Sequence, residues 1–223
     1  MDKNQVIKGL LIVIDGIDGS GKTTQINLLS EYLTQKNIPF EVISFPRYED
    51  NLYGKLIRRY LSGEFGSIQE VNPYLMVLSY AGDRSLAKPL IENWLNSGKM
   101  VIANRYVSAN KAHLSANLPE DQREEFMNWV EQLEYQTNGL PKEDLAILLN
   151  VDPKIGQDNV RSGRVDIHED NLEHLEQAAK IYLELSKAED HWRVVNCMVD
   201  GRMRSKEDIH KDLAATLKNL YDI

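Results

Sequence analysis

The stretch Gly9-Leu10-Leu11-Ile12-Val13-Ile14-Asp15-Gly16-Ile17-Asp18-Gly19-Ser20-Gly21-Lys22-Thr23-Thr24 decides how the rest of the chain is read. Leu10 to Ile14 is an unbroken apolar run, the pattern of a strand buried on both faces of a parallel sheet. It breaks at Asp15-Gly16, and Gly16 to Thr23 fits the phosphate-loop pattern GxxxxGK followed by Ser or Thr. A helical run follows at once, apolar at Ile26, Leu28, Leu29, Tyr32 and Leu33. Each part has a physical task. The glycines let successive N–H groups turn inward on a phosphate, and the helix N-terminus adds partial positive charge. Lys22 reaches the β and γ phosphates, and the Thr23 hydroxyl is placed to hold Mg²⁺. The expected triphosphate cradle is Gly16, Asp18, Gly19, Ser20, Gly21, Lys22, Thr23 and Thr24.

The 223 residues include 42% hydrophobic and 27% charged side chains, the composition of a globular protein with a substantial core. The net charge of −8 argues against a broad nucleic-acid surface, while leaving room for small basic pockets. Cys197 is the only cysteine, so no intrachain disulfide forms and a reducing compartment, the cytoplasm, is expected. No apolar run has the length of a membrane span, and none near the start reads as a secretory signal. Without repeats or long linkers, residues 1–223 read as a single domain.

Further strands are expected at Phe40 to Ser44, Met100 to Ala103, Leu145 to Val151 and Trp192 to Cys197. Helices are expected at Leu52 to Leu61, from Pro73 to about Ser97, Glu120 to Thr137, through Leu172 to Leu185, and Ile209 to Leu220. Strands alternating with helices and lacking a polar face mean an α/β fold, a parallel sheet covered by helices on both sides. Ligands then sit beyond the C-terminal strand ends. The residues there are the phosphate loop, Phe45 to Tyr48, Asn104 to Tyr106, Asp152 and Asp200-Gly201.

Arg47 and Arg105 on those loops are the candidates for the positive charge that phosphoryl transfer needs, because guanidinium offers planar paired donors. Tyr80 and Arg84 are one helical turn apart and share a helix face. The charged segment Arg161 to Glu169 is a candidate lid, since phosphoryl transfer needs water excluded.

Together the phosphate loop with Asp18, Phe45-Pro46-Arg47-Tyr48, Tyr80-Ala81-Gly82-Asp83-Arg84, Arg105-Tyr106 and Val199-Asp200-Gly201 resemble thymidylate kinase over nearly the whole chain. The resemblance implies a P-loop kinase fold with a five-stranded parallel sheet and a short lid at about residues 155–170. It implies a dTMP kinase, transferring the γ-phosphoryl group of ATP to dTMP with Mg²⁺ bound, and a homodimer, with the third helix as the expected dimer surface. By the same resemblance, Arg47 and Arg105 hold the acceptor phosphate, Tyr80 stacks on thymine, and Arg84 bonds the base carbonyl. Phe45 and Tyr48 line that pocket, Ser108 and Asn110 contact base or phosphate, His113 packs near the sugar 2′ carbon, and Asp18 meets the sugar 3′-hydroxyl. Asp200 and Gly201 border adenine. Family members carry a catalytic arginine either in the phosphate loop or in the lid; this loop has Gly19, which leaves Arg161 and Arg164, and Lys22, Arg105, Arg161 and Arg164 form the expected catalytic set. Asp166 and Glu169 match acidic lid positions.

One position departs from the family: Asn104 stands where an aspartate before Arg105-Tyr106 is usual, and Asp15 is the nearest replacement carboxylate for the metal. Three other readings are weighed against this one. A GTP switch needs NKxD, and Asn110-Lys111-Ala112-His113 lacks the acid. A different small-molecule kinase, or a nucleotide-binding relative without activity, would share the loop.

Overall fold

The computed structural model describes residues 9–160, 166–169 and 171–221. Five strands form one parallel sheet: β1 (Leu11–Asp15), β2 (Phe40–Ser44), β3 (Met100–Asn104), β4 (Leu145–Asn150) and β5 (Trp192–Asn196), in the order β2-β3-β1-β4-β5. Every residue of β1 is buried, as the apolar run requires of a strand with a neighbour on each edge and helices on each face. β2 lies at an edge and is only partly covered. Registers Ile14↔Asn104 and Ser44↔Asn104 bring the C-terminal ends of β1, β2 and β3 to one level, where the loops carrying the candidate residues emerge.

The helices are α1 (Lys22–Gln35), α2 (Leu52–Leu61), α3 (Pro73–Asn96), α4 (Val107–Ala109), α5 (Glu120–Glu131), α6 (Pro153–Val160), α7 (Leu172–Ala188) and α8 (Lys206–Tyr221). α4 runs on into a π-helical turn, Asn110–Leu114, and α5 into another, Gln132–Thr137. A β6 (Met198–Val199) and β7 (Arg202–Met203) hairpin carries Asp200 and Gly201 at its turn.

Asn51 and Asn72 cap α2 and α3 by accepting from Gly54 and Tyr74 backbone N–H groups at 2.9 Å each. Pro73 sits in the first turn of α3, where no N–H is needed. Three elements were not expected from sequence: α4 with its π turn, α6, and the β6–β7 hairpin. α6 occupies the first part of the expected lid. Arg161 and Arg164 lie outside the described residues.

Candidate active site

Gly21 ends the phosphate loop in a left-handed conformation, φ 88°, and Lys22 is the first residue of α1. The loop's N–H groups and the α1 N-terminus therefore converge on one anion-binding concavity. Lys22 Nζ donates to the carbonyls of Gly16 and Ile17 at 3.0 and 2.8 Å, folded back over the loop. Burial, with Arg105 close by, lowers the Lys22 ammonium to about 8. Asp18, Gly19, Gly21, Lys22, Thr23, Thr24 and Asn104 line one cleft with Asn159 and Val160 of α6. Ser20 is wholly buried beneath the loop. Asp200 borders a separate groove and Gly201 at the hairpin turn faces open space, but Met203 of the same hairpin reaches to within 3.4 Å of where a Gly21 Cβ would lie.

A second pocket opens beside the first. Asp18, Phe45, Tyr48, Tyr80, Arg84, Arg105, Asn110, His113, Asp166 and His168 all line it, so most of the expected acceptor residues do meet. Asp18 and Arg105 border both cavities, as does Phe45.

Arg105 is the hub. It follows β3 with φ 64°, an uncommon backbone state for a residue with a side chain. Its Nη2 donates to Asp18 Oδ1 at 2.5 Å and its Nη1 to His113 Nε2 at 2.8 Å. Burial works to raise the Asp18 carboxyl, yet Arg105 and Lys22 together hold it well below the usual carboxylate range.

At the far end of the pocket Arg84 is 1% exposed and donates through Nε and Nη2 to both oxygens of Glu134, 2.6 Å each. Asn110 Nδ2 donates to the same carboxylate at 2.8 Å. Glu134 thus fixes a guanidinium donor and a carboxamide side by side. That pair matches a base edge carrying a carbonyl next to an imide N–H. The Tyr80 hydroxyl is raised well above its ordinary value by burial, so it stays protonated.

Three expected residues take other places, and a fourth, His113, has a further set of partners. Arg47 turns away from the pocket to Asp83, with three bonds: backbone N to Oδ2 at 2.8 Å, Nε to Oδ1 at 3.0 Å and Nη2 to the Asp83 carbonyl at 2.7 Å. Ser108 lies outside the pocket and donates to Asp15 Oδ2 at 2.6 Å. Asp15, expected beside the metal, is wholly buried, and its Oδ1 accepts from the Tyr182 hydroxyl at 2.6 Å and Gly16 N at 2.9 Å. It holds the sheet end together instead of facing the cleft. His113, expected near the sugar, lines the pocket but is also bound into an imidazole relay. Arg105 only donates, so a neutral His113 accepts at Nε2 and carries its proton on Nδ1. That proton points to His174 Nε2 at 3.3 Å, and His174 Nδ1 donates to Asn117 Oδ1 at 2.8 Å. Glu134, His174 and Tyr182 carried no signal in the sequence as site residues, and Asp83 and His168 lay in segments singled out without a role of their own.

A family profile described as thymidylate kinase matches residues 14–212. The thymidylate kinase of Mycobacterium tuberculosis is 31% identical over 204 residues, 87% of this chain and 95% of the relative. A probable thymidylate kinase of Pyrococcus horikoshii is 33% identical over 218 residues, 96% of this chain and 98% of the relative. Among solved structures, thymidylate kinase from Candida albicans superposes with a TM-score of 0.76 at 23% identity, covering 95% of this chain and 92% of that one, a likeness of fold.

Proposed function

The chain belongs to the thymidylate kinase family, and on that premise we propose how its site performs transfer of the γ-phosphoryl group of ATP to dTMP, giving dTDP and ADP. The observation that carries the reading is the position of Asp18 and Arg105, shared by the phosphate-loop cleft and the acceptor pocket. Phosphoryl transfer demands alignment of donor and acceptor and positive charge along the path, and little covalent help. The loop N–H groups and Lys22 take the ATP phosphates; Lys22 must swing from the Gly16 and Ile17 carbonyls to do so. Arg105 takes the acceptor phosphate, and Asp18 orients the sugar 3′-hydroxyl. Tyr80 and Phe45 give thymine its aromatic walls, while Arg84 donates to its carbonyl and Asn110 accepts from its imide N–H. Arg47, braced by Asp83, needs only a rotation to join Arg105.

Mg²⁺ fits the residues present. Asn104 Oδ1 is buried at the phosphate cleft with no hydrogen-bond donor among the described residues, an acceptor that a metal-bound water would satisfy. Thr23, exposed at the same cleft, supplies a hydroxyl ligand. The ion neutralises charge between the β and γ phosphates when bound. Arg161 and Arg164 supply the lid's charge in this reading, and Asp200 and Gly201 border adenine.

Among the described residues one five-stranded sheet runs through one continuous core, which supports a single domain. We further read the chain as a cytoplasmic homodimer. Leu75, Leu78, Leu86 and Leu90 lie exposed along α3, 65% at Leu75 and 57% at Leu86, next to exposed Leu52 and Tyr53 of α2. An apolar stripe of that extent supports pairing with a second copy. Among the described residues no helix is long and apolar enough to cross a membrane.

A coupled assay of ADP release across dTMP, dCMP, dGMP and AMP tests the reaction; equal turnover of all four would overturn it. Leu86→Asp with Leu90→Asp should yield a monomer by sedimentation.

A further inference from the structure

Three imidazoles converge beside the acceptor pocket from separate elements: His113 from the π turn after α4, His168 from the 166–169 segment, and His174 from the start of α7. They are 7%, 5% and 4% exposed. One ring nitrogen of each lies within 4.8 Å of the other two. Ring centroids are 6.0 Å apart for His113 and His168, 5.5 Å for His113 and His174, and 4.5 Å for His168 and His174. A dry interior has no packing reason for three imidazoles, since leucines would fill the space without polar atoms to satisfy.

The outer nitrogens are already held. His168 Nε2 meets the Tyr60 hydroxyl at 2.9 Å, and His174 Nδ1 meets Asn117 Oδ1 at 2.8 Å. Such outer contacts orient metal-binding histidines. They leave His168 Nδ1 and His174 Nε2 for a common centre. His113 Nδ1 is 3.3 Å from His174 Nε2. That is the nitrogen–nitrogen edge, roughly 3.3 Å, of a tetrahedral site with metal–nitrogen bonds of about 2.0–2.1 Å. Bringing in the third nitrogen asks for a shift on the order of 1 Å. Burial keeps all three imidazoles neutral at pH 7, aided at His113 by Arg105 and at His168 by His174; neutral imidazole is the metal-binding form. The carboxylate of Asp18 shares the pocket and offsets added positive charge, against Arg105.

We propose that His113, His168 and His174 bind one divalent transition-metal ion, Zn²⁺ foremost, and that loading this site displaces Arg105 and inhibits the enzyme. An all-imidazole donor set selects Zn²⁺, Cu²⁺ or Ni²⁺ over Mg²⁺, which prefers oxygen. His113 and His168 line the acceptor pocket, so a fourth ligand to the ion would come from that side. The consequence for Arg105 follows from proton placement. When His113 Nδ1 gives its lone pair to the ion, the ring proton must sit on Nε2. Two donors then face each other across the present 2.8 Å contact with Arg105 Nη1, and the guanidinium has to leave. The metal site is independent of the reaction assigned above; only the inhibition rests on it.

The test is Zn²⁺ titration of the whole, chelator-stripped protein in excess Mg²⁺, against a competing chromophoric chelator. We expect one ion per chain, a tenfold or greater loss of affinity in His168→Ala and His174→Ala, and inhibition of dTMP turnover over the range that fills the site. Zn²⁺ held no more tightly than by the triple variant His113→Ala, His168→Ala, His174→Ala overturns the site. If those variants do not fold, X-ray absorption on the Zn²⁺-loaded unmodified chain decides: three imidazole ligands support the site, and an oxygen-rich shell overturns it. Three-imidazole binding with unchanged turnover overturns the link to Arg105. A metal-free protein that binds Zn²⁺ this way but never phosphorylates dTMP overturns the reaction and leaves the site standing.

Discussion

The carbonyl oxygen of Gly156, on α6, lies so close to Gly19 of the phosphate loop that a Cβ on Gly19 would meet it at 1.9 Å. Gly19 also has φ 72°, so two separate constraints exclude a side chain there. The contact is mutual, since a Cβ on Gly156 would come within 2.6 Å of the Asp18 carbonyl. Asn159 of the same helix donates Nδ2 to the Gly19 carbonyl at 3.0 Å. α6 therefore clamps the loop, and the family arrangement with an arginine in the loop has no room in this fold.

Gly19→Arg should accordingly fail as a gain of catalytic charge. We expect a loss of roughly 1–3 kcal/mol in stability, from backbone strain and displacement of α6, visible as a lower urea midpoint. An unchanged midpoint with raised turnover would show that the loop can open. In the complementary experiment Arg161→Ala with Arg164→Ala should lower kcat far more than it raises KM for dTMP, because the lost contact belongs to the transition state. Steady-state kinetics reads both parameters.

Arg84 and Glu134 offer a sharper separation of stability from function. Removing one partner of a buried ion pair leaves the other charge stranded, at a cost of about 3–5 kcal/mol. Glu134→Ala should therefore be strongly destabilised in urea. Replacing both, Arg84→Met with Glu134→Leu, should recover most of that stability, because an apolar pair removes both buried charges. It should not recover dTMP use. A double variant that folds well and still prefers dTMP would remove Arg84 from base recognition.

Much of this architecture is legible in the sequence because its signals are local. Leu10 to Ile14, the glycines after it and the helical run from Lys22 lie within one short stretch, and the strand-end rule then finds Phe45 and Arg105, whereas Asn110 is reached only through the family resemblance. Partnerships are not local. Glu134 meets Arg84 from a helix whose composition reads as an ordinary solvated face, and its meaning appears only when the π turn folds it inward to 0% exposure. The same holds for Arg47, whose loop position is correct but whose guanidinium is claimed by Asp83. The partners of Asp15 are hidden for a related reason: a carboxylate at a strand end suggests the metal, while the hydroxyls bonded to it come from Ser108 and Tyr182, far along the chain. π turns depend on register shifts within a helix, and the 3.6-residue period cannot announce them.

Cys197 permits a test of the core that does not involve the site. It is wholly buried after β5, and burial pushes its thiol up to about 11. Only thiolate reacts rapidly, so a thiol-specific reagent at pH 8 should label nothing in the native protein and one group per chain in denaturant. Labelling should rise with denaturant along the same transition as the circular dichroism signal. Rapid native labelling would mean that the sheet edge at β5 and the β6–β7 hairpin opens freely.

The last prediction concerns Asn104, whose Oδ1 is buried at the phosphate cleft with no donor among the described residues. An amide oxygen can accept from a metal-bound water but adds no charge, whereas a carboxylate does both. The neighbouring carboxylate cannot compensate, because Asp15 is turned inward onto Ser108, Tyr182 and its own loop. Asn104→Asp should thus strengthen Mg²⁺ binding and lower the Mg²⁺ concentration giving half-maximal turnover, with kcat equal or higher. Arg105 lies next in sequence and faces Asp18, so the added charge has a cation nearby and should not unfold the site. Two measurements check it: Mn²⁺ binding in the presence of ADP, followed by electron paramagnetic resonance, and an Mg²⁺ titration at saturating dTMP corrected for free metal. A folded Asn104→Asp variant that binds Mn²⁺ no better, or needs more Mg²⁺, would show that the orphaned oxygen serves something other than the metal's waters.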